Sequence, residues 1–381
     1  MRPWLIVSTA FRRTGGQDRA NFALASYLAR HRREVHLVAH HVSDELRNTA
    51  NVVVHLAPKP LGSELLGEPF LQRVGATWAT RLGPRDVRVV VNGGNCAWPD
   101  LNWVHYVHAC FEPRTTGSIL RRIRTRVARR RFRGDERRAL GVARLAIANS
   151  RRTRRDLIEQ LHLPAERVRV IYYGMDAELF RPSVPAERAA IRAHLGWPAD
   201  RRVILFVGAL GDHRKGFDTL FEAWRTMFSP SHPEWDAELV VIGQGSELGG
   251  WRRKIAEAGL ASRIRFLGFR GDVPNVMRAC DALVSPTRYE AYGLAVHEAL
   301  CCGVPAVVSA DAGVAEQYPP ELQHLLLEDS EDARDLAMRI RLSVDLSNPA
   351  RVALNDLSQR LRLRTWDAAV GDLVAAAEDG G

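Results

Sequence analysis

Hydrophobic positions in this chain come mostly in short unbroken runs. In the first half the runs are Trp4–Ser8, Val35–Ala39, Val52–Leu56, Val87–Val91, Val104–His108, Ala143–Ala148 and Val168–Tyr172. A run that is apolar at nearly every position predicts a strand buried on both faces, as in a parallel sheet. Between several of them lie segments of helical period, such as Asp18–Arg30, where Phe22, Ala25, Leu28 and Ala29 share one face. Strands alternating with helices predict an α/β, doubly wound sheet.

The alternation then restarts. Arg181-Pro182-Ser183-Val184-Pro185 reads as a linker, and new runs follow at Val203–Val207, Leu239–Ile242, Ile264–Gly268, Ala282–Ser285 and Ala306–Ser309. The stretch Arg351–Ala377 has no strand character. The expected organisation is a first domain over 1–182, a second over 183–350, and terminal helices over 351–381 that return to the first domain. A chain of 381 residues suits two such domains. Ligands of doubly wound sheets bind outside the carboxyl ends of the strands, so two domains facing each other would enclose a central cleft there.

Charge changes the picture in one segment. The formal charge is +10, and lysine stands only at 59, 215 and 254, so the excess is arginine. Eleven arginines fall between Arg114 and Arg138, against only Asp135 and Glu136. Such a block is a footprint for phosphate, anionic lipid or nucleic acid, or simply a solvated helix face. Peripheral docking on an anionic membrane is the functional reading, and nucleic acid is not expected because no recognised binding motif accompanies the charge. No run approaches the ~20 apolar residues of a membrane span. The five cysteines include a vicinal pair, Cys301-Cys302, and have no metal-like spacing. They suggest reduced thiols in a cytoplasmic protein, at most peripheral on the inner face of a membrane.

The segment richest in chemistry is Pro286-Thr-Arg-Tyr-Glu290-Ala-Tyr-Gly293-Leu-Ala-Val-His-Glu298-Ala-Leu-Cys-Cys-Gly303-Val-Pro305. A strand ending at Ser285 turns through Glu290, and Gly293 opens a helix. Amides of Tyr292, Gly293, Leu294 and Ala295 would form its N-terminus, a ready site for a diphosphate. Eight residues at helical rise put Glu290 and Glu298 up to ~12 Å apart. A hydrolytic carboxylate pair needs ~5–9.5 Å, so this spacing suits gripping groups on either side of a pyrophosphate.

Those residues resemble the signature of the retaining GT-B glycosyltransferases of family 4. So do Gly15-Gly16 after the first strand, Ala148-Asn-Ser150-x-x-Thr153, Tyr173-Gly174-Met-Asp176, Lys215-Gly216 and Ile242-Gly243-x-Gly245. The resemblance implies two Rossmann-like domains and transfer of a hexose from a UDP or GDP sugar to a glycan, glycolipid or natural-product acceptor. It implies that Glu298 holds the nucleotide ribose, and that Glu290 with nearby amides holds the donor sugar. Lys215 would neutralise the diphosphate, with the Gly16 amide approaching from the first domain, and His108 would contact the transferred sugar. Phe269–Arg270 would lie beside the base, and Asp311, Gly313 and Glu316 near the nucleotide. Gly303 and Pro305 read as loop geometry. Neither a metal nor a cofactor is implied, since the nucleotide sugar is itself the donor. One departure stands out: the family usually has an arginine where this chain has Ala209, and Arg214 is the cation available to replace it. The competing readings are a non-catalytic sugar-nucleotide or glycan binder, a sugar-nucleotide epimerase and a phosphorylase.

Overall fold

The computed structural model describes residues 2–83, 85–112, 119–228 and 235–379. It divides into two units, one made of Met1–Gly174 with Thr365–Gly381 and the other of Met175–Arg364.

The first unit is built on a seven-stranded parallel sheet. Its strands are β1 (Trp4–Val7), β2 (Val35–Ala39), β3 (Val52–Leu56), β4 (Arg88–Val91), β5 (Leu101–Val104), β6 (Leu145–Ala148) and β7 (Val168–Val170), in the order β3-β2-β1-β4-β5-β6-β7. β1, β2, β4, β5 and β6 are buried at every position, which is why their sequences are almost wholly apolar, His36, Arg88 and Asn102 excepted. Helices α1 (Gly16–Arg30), α2 (Ile119–Val142) and α3 (Arg151–Leu161) belong to this unit.

The second unit has a six-stranded parallel sheet of β8 (Arg202–Val207), β9 (Ala237–Ile242), β10 (Ile264–Gly268), β11 (Ala282–Ser285), β12 (Ala306–Ser309) and β13 (Leu326–Leu327). The order is β10-β9-β8-β11-β12-β13. Helix α4 (Phe217–Met227) covers it with Phe217, Leu220, Phe221 and Trp224, spaced three and four apart. Helix α5 (Leu294–Cys301) follows β11.

The expected linker at 181–185 lies within the second unit: Arg181 pairs with Glu187, and the Ser183 hydroxyl donates to the Arg278 carbonyl. The break falls at 174/175. Of the two terminal helices, α6 (Asn348–Leu363) lies in the second unit and only α7 (Trp366–Glu378) in the first. α7 packs on α1 through Arg30–Asp367 at 2.6 Å, and on the turn after α1 through Arg33–Glu378 at 2.8 Å. One strand differs from expectation. The run assigned to Val104–His108 is a strand over Leu101–Val104, and His108 instead opens a single turn, His108–Cys110. Hydrogen-bond register with β6, which pairs Val104 with Ala148, ends the strand there.

Candidate functional site

In both sheets the strand order reverses beside the first strand, and loops diverging at such a switch point leave a crevice. In the second unit the point lies between β8 and β11. The loop after β8 carries Gly208, Arg214, Lys215 and Gly216; the loop after β11 carries Pro286 to Gly293. The two are tied together closely. The Arg288 amide donates to the Arg214 carbonyl at 2.8 Å, and a Cβ on Gly216 would lie 1.9 Å from the Pro286 oxygen. Gly216 is also left-handed, with φ 70°, so no other residue fits. Arg288 braces the arrangement with its guanidinium on Asp218 (2.8 and 3.0 Å), Glu331 (2.8 Å) and the His213 carbonyl (2.7 Å).

At the centre, Lys215 Nζ donates to Glu290 Oε2 at 2.7 Å, and Arg214 Nη1 reaches the same oxygen at 3.4 Å. Arg214 also donates to the Tyr289 carbonyl and pairs with Asp212, both at 3.0 Å. Burial pushes the Glu290 carboxyl up, but the Lys215 and Arg214 charges outweigh it and hold it below the usual carboxylate range. Thus Arg214 shares one carboxylate oxygen with Lys215. Gly293 caps α5 in a left-handed conformation, and the first amides of that helix have no acceptor within it. The loop after β12 is laced onto this turn, since Gly313 N donates to Glu290 O (3.1 Å) and Val314 N to Tyr292 O (2.7 Å). Tyr292 is buried and its hydroxyl bonds His297 Nδ1 at 2.6 Å; Leu294 and Ala295 are half-buried in the first turn, and Glu298 is buried on the same helix. Asp311 and Glu316 flank Gly313 on the same connection.

Gly243 and Gly245 sit on the loop after β9, which packs directly on the loop after β8. Leu210 N donates to Gln244 O at 3.0 Å, and a Cβ on Gly245 would stand 1.5 Å from the Leu210 oxygen. Gly243 is pressed against a second backbone group, its Cβ position 1.8 Å from the Gly208 oxygen, so both glycines are required by close backbone approach. After β10, Phe269 is 71% exposed, while Arg270 is held by both oxygens of Asp272. Gly303 ends α5 in a left-handed turn, and the Pro305 carbonyl accepts the Leu283 amide at the start of β11.

In the first unit the switch point lies between β1 and β4. Gly15 caps α1 and Gly16 is its first residue. Asp18, in the first turn of α1, is raised to about 6 by burial. Beyond β4, Asn92 and Asn95 lock the turn: Asn95 Oδ1 accepts the Asn92 amide, and Asn95 Nδ2 donates to the Val7 carbonyl. Asn92 Nδ2 contacts His105 Nε2 at 3.1 Å, while His105 Nδ1 bonds the Tyr173 hydroxyl, which also receives Asn149 Nδ2 at 3.1 Å. This largely buried network links the ends of β4, β5 and β6 and accounts for the Asn149 and Tyr173 motif positions. His108 follows it, its ring against Tyr106 and Phe132 (centroids 4.9 and 5.4 Å). Burial lowers its pKa to about 4, so the ring is neutral at neutral pH. Sequence reading misses Asp18, the His105 network and Glu136, whose two oxygens accept the His108 and Ala109 amides. No spacing rule marks them, because the His105 network and Glu136 are made by contacts distant in sequence and Asp18 is set apart only by its burial.

Residues 14–179 match the family model described as Glycosyltransferase Family 4, and residues 187–356 match the one described as Glycosyl transferases group 1. A D-inositol 3-phosphate glycosyltransferase of Thermobispora bispora is 31% identical over 227 residues, which are 57% of this chain and 51% of that protein. The chain thus spans about half the length of that curated relative. Among solved structures, WaaG, a glycosyltransferase involved in lipopolysaccharide biosynthesis, has a TM-score of 0.78 at 18% identity, covering 99% of this chain and all of that one. Anabaena HepE in complex with UDP-glucose has a TM-score of 0.69 at 20% identity, covering 99% and 100%. The fold is therefore GT-B, two doubly wound units in one chain. With models of one family matched in sequence over most of its length, the chain belongs to family 4 of the glycosyltransferases, the group 1 glycosyl transferases.

Proposed function

We propose that the chain is a retaining hexosyltransferase that takes a UDP- or GDP-linked sugar as donor and passes the hexose to a glycan, glycolipid or natural-product acceptor. The observation that carries this reading is the meeting of Lys215, Arg214 and Glu290 at the switch point, beside the N-terminus of α5. Cleaving a glycosyl phosphate develops negative charge on the departing diphosphate. Lys215, Arg214 and the α5 amides are fixed before reaction where that charge would form. Glu290 has the acceptor oxygens to hold sugar hydroxyls, and Glu298 those to hold the ribose. The base would rest beside Phe269 and Arg270, with the edge of Gly243 and the loop of Asp311, Gly313 and Glu316 close to the nucleotide. Gly15 and Gly16, at the start of α1, are assigned to the diphosphate, and neutral His108 to the sugar. Retention is assigned to front-face attack, in which the leaving phosphate oxygen takes the acceptor hydroxyl's proton as the new glycosidic bond forms. HepE was solved with UDP-glucose, which supports a nucleotide-sugar donor.

The acceptor side is assigned to the first unit. Among the described residues no helix is long and apolar enough to cross a membrane. On α2, however, Ile123 and Val127 are 53% and 55% exposed among arginines. That combination supports peripheral docking on the inner, anionic face of a membrane. The start of the basic segment, residues 113–118, lies outside the described residues. Thermal-shift titration with UDP, GDP and ADP and their common sugars, repeated on Glu298→Ala, tests the donor assignment. Stabilisation by one nucleotide that vanishes in the variant is expected. Indifference to all three would sink the transferase reading and favour a protein that binds glycans without transfer.

A further inference from the structure

Helix α2 has a second feature besides its arginines. Glu136 is fully buried near its C-terminal end, and both carboxylate oxygens leave the helix to accept the amides of His108 (2.8 Å) and Ala109 (3.2 Å). These amides open the short turn His108–Cys110, which has no side-chain cap of its own. One helical turn earlier, Phe132 stacks on the His108 ring at 29° and 5.4 Å. The helix backbone at this level is pressed onto the loop after β4: a Cβ on Gly94 would stand 2.8 Å from the Glu136 nitrogen. The His108 turn is therefore gripped through its backbone and its ring by one helix, which is itself seated on the switch-point loop. Burial raises Glu136 to about 7 even though the two amides and nearby Arg133 and Arg137 lower it. A buried carboxylate kept against that cost is often a functional group.

We propose that Glu136 is a positioning residue for His108, a latch through which the arginine-rich helix fixes the orientation of the sugar-facing histidine. This rests on the reading of His108 given above. It gives the basic helix a role within the site as well as on the surface: a surface that binds α2 also bears on the turn that holds His108.

The test uses the full chain with Glu136→Gln, which replaces one acceptor oxygen by a donor facing an amide. Glu136→Asp, which keeps the charge but shortens the reach, is the second variant should Gln not fold. Hydrogen–deuterium exchange across residues 104–112 is expected to quicken by roughly tenfold or more at His108 and Ala109, whose amides lose a buried acceptor. Unchanged exchange overturns the latch. Turnover is then read as release of nucleoside diphosphate from UDP-glucose and from GDP-mannose, with water taking the glycosyl group in place of the acceptor. A fall in kcat of about ten- to a hundredfold is expected, with UDP or GDP affinity unchanged. The same substitution placed on His108→Ala is expected to cost little more, because both changes disable one element. If the losses multiply, Glu136 stabilises the fold without acting through His108 and the proposal fails. If wild type turns over neither sugar nucleotide, or His108→Ala is as fast as wild type, the catalytic reading of His108 falls and the positioning role with it. The exchange result still separates that failure from the absence of a latch.

Discussion

Replacing Lys215 by methionine removes one charge and keeps most of the side-chain volume. In the folded chain Nζ lies 2.7 Å from Glu290 Oε2, with Arg214 at 3.4 Å on the same oxygen. Breaking a buried pair by deleting one partner costs ~3–5 kcal/mol when nothing replaces it. Here Arg214 remains, and the Lys215 and Glu290 side chains keep 21% and 17% of their exposure to water. The stability loss should therefore be about 1–2 kcal/mol, which in a unit of this size lowers Tm by roughly 2–8 °C. The catalytic loss should be much larger. A preorganised cation facing developing charge is comparable to an oxyanion-hole donor, about 2.7–4 kcal/mol or 10²–10³ in kcat. The assay pairs thermal melting with release of nucleoside diphosphate, measured in the same buffer. A fall in Tm of a few degrees with kcat down at least a hundredfold is expected. The reasoning is refuted if Tm falls as calculated while kcat stays within about threefold, because Lys215 would then be only a counter-charge for Glu290. Arg214→Met sharpens the comparison: if Arg214 replaces the cation missing at Ala209, it too should lower kcat by more than its share of stability.

Three further outcomes are expected. Gly216→Ala should cost more than ~2 kcal/mol and loosen the Lys215 and Glu290 loops together, since its Cβ meets the Pro286 carbonyl at 1.9 Å; a melting temperature equal to wild type would mean the loops are free to separate. Phe269→Ala should change stability by under ~0.5 kcal/mol, because the ring is 71% exposed, yet weaken nucleotide binding by about 1–3 kcal/mol if the base stacks there; calorimetry with UDP or GDP decides. Burial raises Glu136 to about 7, above its unfolded value, so its contribution is full below about pH 4.5 and is lost as pH rises through 7. The stability difference between Glu136→Gln and wild type should therefore move in the variant's favour by up to about 3 kcal/mol between pH 4.5 and 8, and a difference independent of pH would refute the shift.

The fold was largely legible because parallel strands buried on both faces leave continuous apolar runs. Val35–Ala39, Val52–Leu56, Ile264–Gly268, Ala282–Ser285 and Ala306–Ser309 are strands over the residues read from sequence. The reading fails at Val104–His108, where Val107 is buried without being in a strand. Periodicity reports burial, and burial alone does not distinguish a strand from a packed turn. Within the second unit, Lys215, Arg214 and Glu290 meet because β8 and β11 are neighbours in the sheet, so the loops that follow them bring motifs 75 residues apart together. Glu136 was illegible for the opposite reason. In sequence it looks like a charge balancing arginines, whereas in the fold its oxygens bond backbone, which carries no residue-type signal.

The arginine excess divides into two populations. Arg192 is buried, and its guanidinium donates to the carbonyls of Ala279, Pro198 and Arg201 and to Asp281. Arg288 likewise binds two carboxylates and a carbonyl behind the Lys215 loop. A planar fork with five donors serves as a multi-point tie between loops, a task a lysine cannot perform. These arginines belong to the architecture and say nothing of a partner. On α2 the pattern differs, because exposed Ile123 and Val127 interrupt a run of basic residues on a helix that also fixes the His108 turn. Net charge alone would predict an anionic partner for the whole molecule. The proposal of an anionic partner is thereby narrowed to α2, where exposed apolar side chains accompany the arginines, and the same helix carries Glu136.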